Sequence, residues 1–371
     1  MRVLHVYKNY PPVIGGIEGH LRLLATRQAA RGLEVTVLTT SLDRTTSLAR
    51  DRGVQVIRAG RLAHVLSTPI SLALLAHLRT AQPDVVHVHM PYPVAEIGEW
   101  LLGGGRPYVV TYHSDVVRQR AWARVLSPLR SRFLRQAHCV LVTSSAYLSS
   151  SVMLQQVRDR CRVVPLGVDI ERFASASVAS LGEMVSDGPI VLFVGRFRRY
   201  KGLSVLIEAM AEVEAKLVLV GDGPERRRLE QQIKRSPAAA RIHLVGEVCD
   251  ADLPGCYAAA DIVVLPSILR SEAFSLALVE AMAAATPVVC TELGTGTSEV
   301  NEHGVTGLVV PPADAGALAA ALGELLADPV RRRRMGRAAA RRARECFSAE
   351  RMVDATVQAY ESACLKMTDK W

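Results

Sequence analysis

The chain has 371 residues, more than one hydrophobic core usually serves, so two domains of similar size are expected. A composition of 49% hydrophobic and 22% charged residues excludes a long disordered tract, and the formal charge of +9 points to an anionic partner: a nucleotide, a phosphorylated lipid, an acidic membrane face or nucleic acid. Seven scattered cysteines, odd in number and without a CxxC pair, exclude a disulfide framework and a cysteine zinc site and suit reduced thiols in the cytosol.

No basic and apolar leader precedes the first strand-like run, RVLHVY at 2–7, so no signal peptide is expected. No apolar run approaches the roughly 20 residues that cross a bilayer. After RVLHVY come KNYPPVIGG, a helical pattern from Ile17 to Arg31 closed by Gly32, and the strand EVTVLTT at 34–40. This order of strand, glycine loop, helix and strand opens a parallel doubly wound sheet. Its ligand belongs at the carboxyl ends of the strands, where Gly15 and Gly16 let a backbone come close. The GxGxxG pattern is missing, which argues against a nicotinamide dehydrogenase.

Further strands are expected at 54–58, 84–89, 107–111 and 138–143. His87 and His89 alternate along one of them, but no carboxylate or cysteine completes a metal set, so both read as structural. The segment YHSDVVRQR puts His113 and Asp115 at a carboxyl end, on the rim that holds the glycine loop. A lone histidine is more often structural; this position favours a functional one. Asp115 either serves the site or caps the next helix. That helix, at 118–135, carries Arg118, Arg120, Arg124, Arg130, Arg132 and Arg135 among Trp122, Leu126, Leu129, Phe133 and Leu134. It reads either as a solvated face or as an amphipathic surface resting on anionic lipid.

A strand at 161–164 leads into Pro165 and Gly167, which mark the domain boundary, so the domains are 1–167 and 168–348. A weakly patterned linker at 174–188 precedes a second α/β series, with strands in IVLFV, KLVLVGDGP (216–224) and at 241–246, 261–266, 287–290 and 307–310. The chain is then helical from Leu318 to Arg344, with a final helix at about 349–364. The expected architecture is α/β: two facing Rossmann-like, doubly wound domains with the ligand in their cleft.

Three loops of the second series carry chemistry. In VGRFRRYKG, Arg196 lies just past a strand and Lys201 near the next helix, where two cations would neutralise a diphosphate and stabilise it as a leaving group. In PSILRSEAFSLALVEAMAAATP, Glu272 falls in a loop and Glu280 about two turns into the helix that follows. Two carboxylates so placed can reach one ligand from adjacent sides, beside the free amides of a helix start, and carboxylates accept paired hydroxyls. A phosphorylated sugar or nucleotide fits. The loop Glu247 to Asp250, with Val248, sits at another carboxyl end and could offer backbone groups to a base, while Gly294 and Gly296 touch phosphate or acceptor, or simply form a turn.

The segments PPVIGG, VTYHSD, VVPLGVD, VGRFRRYKG, LVGDGP, LPSILRSEAFSLALVEAM and HGVTGLVVPP run nearly the whole chain. In combination they closely resemble the retaining glycosyltransferase family 4, of GT-B fold. The resemblance implies transfer of a sugar from a nucleotide donor with its anomeric configuration retained, and no metal or other cofactor. It implies an acceptor-binding first domain, a nucleotide-sugar-binding second domain, and a C-terminal helix (about 349–371) crossing back to the first. Carried onto this chain, it makes Arg196 and Lys201 the diphosphate binders, Glu280 the ribose binder and Glu272 the holder of the donor sugar's hydroxyls. The amides of Phe274, Ser275 and Leu276 come close to sugar or phosphate, Gly16 touches the diphosphate, and His113 sits near the reacting carbon. Ser275 stands where the commoner form of the loop has glycine.

Within the family, YHSD, RSEAF and GTGTS are most similar to bacterial enzymes that add mannose or rhamnose from a GDP donor to surface polysaccharide. That implies a lipid-linked glycan acceptor, synthesis of the O-antigen type, and a cytoplasmic protein, peripheral on the inner face of the membrane. A UDP-sugar donor, a nucleotide-sugar epimerase and, from a different class, a basic nucleic-acid-binding protein or a silent binding subunit are the alternatives. A nucleic-acid partner is not expected, since aromatics at 5% supply no stacking stripe.

Overall fold

The computed structural model describes residues 1–65, 68–115, 120–175 and 188–368. They fall into two compact units, Met1–Leu166 with Ala349–Trp371, and Gly167–Ser348.

The first unit is built on strands β1 (Arg2–Val6), β2 (Glu34–Thr40), β3 (Ser47–Asp51), β4 (Val54–Ala59), β5 (Ala63–Val65), β6 (Thr68–Ile70), β7 (Val85–Met90), β8 (Tyr108–Tyr112), β9 (Cys139–Val142) and β10 (Cys161–Val163). Eight of them form one sheet in the order β10-β9-β8-β7-β1-β2-β4-β3, and β5 pairs with β6 apart from it. All neighbours in the large sheet run parallel except β3 and β4. Every residue of β7 and β8 is buried, as strands covered on both faces require, the polar His87, His89 and Thr111 among them. The helix Ala349–Thr368 belongs to this unit: Met352, Val353, Tyr360 and Ala363 share a core with Val3, Leu24, Val85 and Val109.

Sequence patterning missed β3 and the β5–β6 hairpin. SLARD is an edge strand with mostly exposed side chains, so no apolar alternation betrays it. The basic helix spans Arg120–Gln136; Arg118 lies outside the described residues, as do the side chains of Arg120, Trp122, Arg124 and Leu126. What is described is not one solvated or lipid-facing surface. Arg130 is buried and paired with Glu96 at 2.8 Å, Phe133 and Leu134 are core residues, and Arg132 stacks on Trp100 while Arg135 is exposed.

The second unit has a six-stranded, wholly parallel sheet of β11 (Ile190–Val194), β12 (Lys216–Val220), β13 (Ile242–Gly246), β14 (Ile262–Leu265), β15 (Val288–Thr291) and β16 (Gly307–Val310), ordered β13-β12-β11-β14-β15-β16. Leu192, Phe193, Leu217, Val218, Val263 and Val289 form its interior. Each such fully buried side chain contributes about 1.5–3 kcal/mol. The stretch read as helical from 318 to 344 is two helices, Ala315–Ala327 and Pro329–Cys346. They part at Asp328, whose carboxylate caps the amides of Val330 and Arg331, with Pro329 as the first helical residue. Residues 176–187 of the expected linker lie outside the described residues.

In both sheets the winding reverses beside the first strand of the unit, between β1 and β7 and between β11 and β14. Ligands of doubly wound sheets bind at the carboxyl ends of strands at such reversals.

Candidate functional site

In the second unit the reversal point is occupied by the two loops that the sequence singles out. After β11 the chain passes exposed Arg196 and makes a single turn, Arg199–Lys201, before the helix Leu203–Ala209. After β14 it runs through Ser267 and Glu272 into the helix Leu276–Ala283. A hydrogen bond from the Ile268 amide to the Tyr200 carbonyl, 2.7 Å long, ties the loops together. Gly202, at φ 70°, makes this approach possible, because any Cβ there would overlap the carbonyl of Pro266.

The result is an ion pair between Lys201 Nζ and Glu272 Oε2 at 2.6 Å, with the glutamate only 6% exposed. Ser267 Oγ donates to the same carboxylate oxygen at 3.2 Å, and Thr295 Oγ1 donates to the Glu272 carbonyl at 2.8 Å. Burial alone pulls the Lys201 ammonium towards a lower pKa; the Glu272 carboxylate, assisted by Tyr200, outweighs it, and the net direction is upward. Lys201 is therefore a permanently charged, immobilised cation at a strand end. Arg196 forms no ion pair among the described residues, and its guanidinium is exposed on the same loop.

Glu280 lies one turn into its helix rather than two, because the helix starts at Leu276. It does not pair with a cation in the way Glu272 does. Tyr257 Oη donates to Glu280 Oε2 at 2.7 Å, from the helix Leu253–Ala259. Burial raises the Glu280 carboxyl above its ordinary range; the Tyr257 hydroxyl and Arg172 counteract part of this. Ser275 is the buried residue preceding the helix, Leu276 its half-buried first residue, and the Phe274 ring meets Phe347 edge-on at 6.0 Å. Val248 is half-buried beyond β13 and packs on the unit's core.

In the first unit Gly15 precedes the helix Gly16–Ala30, and the Glu18 carboxylate folds over it, so a Cβ there would have to push that side chain aside. Gly16 has open space around it. His113, just past β8, is buried, and so are His5 on β1, His20 on the helix Gly16–Ala30, and His87 and His89 on β7. The sequence reading looked for partners of His87 and His89 among carboxylates and cysteines; the residues gathered around them are other buried histidines. His5 is in register with His87 on the neighbouring strand, and His113 follows the strand on the other side.

The cluster is wired as one line. Gln28 Nε2 donates to Tyr360 Oη at 3.2 Å, and the tyrosine hydroxyl meets His87 Nδ1 at 2.6 Å, with His87 Nε2 2.6 Å from Thr111 Oγ1. On the other side Gln28 Oε1 meets His5 Nε2 at 2.8 Å, His5 Nδ1 meets His89 Nε2 at 3.1 Å, and His89 Nδ1 meets His113 Nε2 at 3.2 Å. With the Gln28 amide so oriented, each of His5, His89 and His113 must donate through Nε2. Burial holds His89 and His113 well below the usual histidine range, so the line is uncharged at neutral pH. Asp115 accepts from the hydroxyls of Tyr112 at 2.7 Å and Ser151 at 2.9 Å; the residues it was expected to cap, 116–119, lie outside the described residues.

Tyr257, Ser267, Gly202 and the partners His5, His20 and Gln28 escaped the sequence reading. Only His5 left a signal, the period-two spacing that HVY shares with HVHM on a paired strand.

Residues 14–172 match the family described as Glycosyltransferase Family 4, and residues 182–342 match Glycosyl transferases group 1. The chain is 36% identical over 368 residues to an O-antigen chain mannosyltransferase of Escherichia coli, covering 97% of this chain and 98% of that protein. It is 37% identical over 354 residues to a D-rhamnosyltransferase of Pseudomonas aeruginosa, covering 94% and 93%. Among solved structures, a sucrose-phosphate synthase from Thermosynechococcus elongatus superposes with a TM-score of 0.84 at 27% identity, covering 97% of this chain and 98% of that one.

Proposed function

Because the chain belongs to glycosyltransferase family 4, has the GT-B fold and is a hexosyltransferase, we propose that it transfers mannose or D-rhamnose from a GDP donor, with retention, to a lipid-linked glycan in O-antigen synthesis. The observation that carries the donor reading is the buried Lys201–Glu272 pair at the reversal point of the second sheet. The mannosyl- and rhamnosyltransferase relatives support the choice of sugar and the acceptor class.

In the free enzyme Lys201 and Glu272 satisfy each other. A nucleotide-diphosphate sugar replaces that contact with two better-matched ones: its hydroxyls donate to the Glu272 carboxylate, and a diphosphate oxygen accepts from the Lys201 ammonium. As the bond from the anomeric carbon to the diphosphate breaks, negative charge grows on the leaving oxygen. Lys201 and Arg196 stabilise it there, a type of effect worth about 10² to 10³ in rate for a single donor. Glu280, oriented by Tyr257, accepts from the ribose hydroxyls, and the amides of Phe274, Ser275 and Leu276, with Gly15 and Gly16, line sugar and phosphate. His113 supplies an uncharged hydrogen-bonding group to the transferred sugar. The acceptor hydroxyl attacks on the leaving-group side and its proton passes to the departing phosphate oxygen, so retention follows without a covalent enzyme intermediate. No metal is assigned to the transfer step, since the two cations occupy the role it would fill.

No helix among the described residues is long and apolar enough to cross a membrane. A peripheral location on an anionic membrane face suits a lipid-linked acceptor and a chain with a charge of +9. The test is transfer from GDP-mannose, GDP-D-rhamnose and UDP-hexoses to a polyprenyl-diphosphate glycan, with the product's anomeric configuration read by NMR. An inverted product, or consumption of donor without acceptor, would overturn the proposal.

A further inference from the structure

The five buried histidines of the first unit hold more ligand capacity than the transfer reaction uses. Two sets of three offer nitrogens all within 4.8 Å of one another: His5, His87 and His89, and His20, His89 and His113. The first set is saturated. His5 spends its nitrogens on His89 and Gln28, and His87 spends its own on Tyr360 and Thr111.

The second set is not. His20 is 3% exposed, and neither of its ring nitrogens has a hydrogen-bond partner among the described residues. Leaving a buried polar group unpaired costs about 1–3 kcal/mol, so an orphan of this kind calls for a missing ligand. His89 Nδ1 and His113 Nε2 stand 3.2 Å apart. Two imidazole nitrogens on a tetrahedral ion, each at about 2.0–2.1 Å, are separated by roughly 3.3 Å, so that spacing already suits two adjacent coordination positions.

We propose that His20, His89 and His113 form a site for a divalent transition-metal ion of the zinc type, and that filling it withdraws His113 from sugar transfer. The second half rests on the role given to His113 above; the first half does not.

The donor set fits the ion. Three neutral imidazoles with no carboxylate among them favour zinc, copper or nickel over magnesium or calcium. The support behind His89 has the arrangement that metal-bound histidines use: its Nε2–H donates to His5 Nδ1, and His5 Nε2–H donates to Gln28 Oε1, which leaves the His89 Nδ1 lone pair for the ion. His113 must change tautomer. Its proton leaves Nε2, where the ion binds, and returns at Nδ1, so the ring stays neutral and no net proton is released. His20 supplies one ring nitrogen, and the fourth position is left for water.

Co²⁺ titrated into the untagged, chelator-treated chain carrying Cys249→Ser, which removes the exposed thiol, is expected to give visible d–d bands at one equivalent. The near-ultraviolet band of thiolate ligation should be absent, and Zn²⁺ should displace the colour. His20→Gln and His20→Phe should abolish the bands. Zinc should suppress transfer by the parent protein, and the His20 variants, each measured against its own zinc-free rate, should need at least ten-fold more. If the parent gives no bands, as when a water rather than a metal satisfies His20, or if the bands survive in both His20 variants, the site is refuted. The parent spectrum decides alone if neither variant folds. Bands without loss of transfer refute the withdrawal of His113. Because binding is read without donor or acceptor, failure of the proposed transfer reaction leaves that result standing.

Discussion

Removing the Lys201–Glu272 charges one at a time and then together separates what the pair does for the fold from what it does for the reaction. Lys201→Met leaves the Glu272 carboxylate, 6% exposed, with only the Ser267 hydroxyl on its Oε2, and Glu272→Gln leaves a buried ammonium without its counter-ion. Removing one partner of a buried pair costs about 3–5 kcal/mol, whereas neutralising both with groups of similar volume is often close to neutral. Guanidinium unfolding of the second unit should therefore show a large loss for each single variant. The Lys201→Met/Glu272→Gln double variant should fall within about 1.5 kcal/mol of the wild type, which requires a coupling energy of several kcal/mol of the kind double-mutant cycles measure. The recovered fold should still be inactive, with transfer down by at least about 10²-fold, because the leaving diphosphate has lost its buried cation. A double variant as unstable as the singles would mean that the pair holds the loops together rather than waiting for a ligand. One that is stable and transfers sugar within ten-fold of the wild-type rate would remove Lys201 from the chemistry.

The remaining expectations concern the nucleotide, its carboxylate and the histidines. GDP should raise the melting temperature of the chain while UDP at the same concentration does not, and the reverse order would move the donor to the UDP class. Tyr257→Phe removes the hydroxyl on Glu280 and should lower GDP affinity several-fold by calorimetry; unchanged affinity would exclude Glu280 from ribose binding. Urea midpoints of the first unit should fall between pH 7 and pH 5. Burial lowers His5 to about 4 and His20 to about 3, so both stay neutral in the fold while the unfolded chain takes up protons near pH 6.5. The unfolded state then binds more protons and stability drops as pH falls, by about 2 kcal/mol for each of the two at pH 5. A flat profile across that range would contradict their burial as neutral rings.

The strand ladder was legible because parallel strands buried on both faces leave predominantly apolar runs; DVVHVH shifts by one residue, while KLVLVGDGP is strand only as far as Val220. The elements that went unseen are those whose residues are not buried, such as SLARD on the sheet edge. The stop at Asp328 was written in the sequence as an N-cap followed by proline, but high alanine content on both sides hid it within one helical composition.

For the site, the sequence supplies chemical type and position along a strand end, and both are short-range properties. Arg196, Lys201, Glu272 and Glu280 could be named because each stands just beyond a recognisable strand or within the helix that follows it. What lies beyond reach is the set of second partners. Tyr257 meets Glu280 from 23 residues away, and Gln28 meets Tyr360 from 332 away, contacts that exist only once the sheets have set which helices are neighbours. The histidines show this most plainly. Along the chain His5, His20, His87, His89 and His113 are five separate residues: His87 and His89 read as structural, His113 as functional by its position, and His5 and His20 drew no reading. The winding order that sets β7 between β1 and β8 turns them into a single cluster, so its properties are those of the topology: the fixed tautomers, the loss of charge and the orphaned His20.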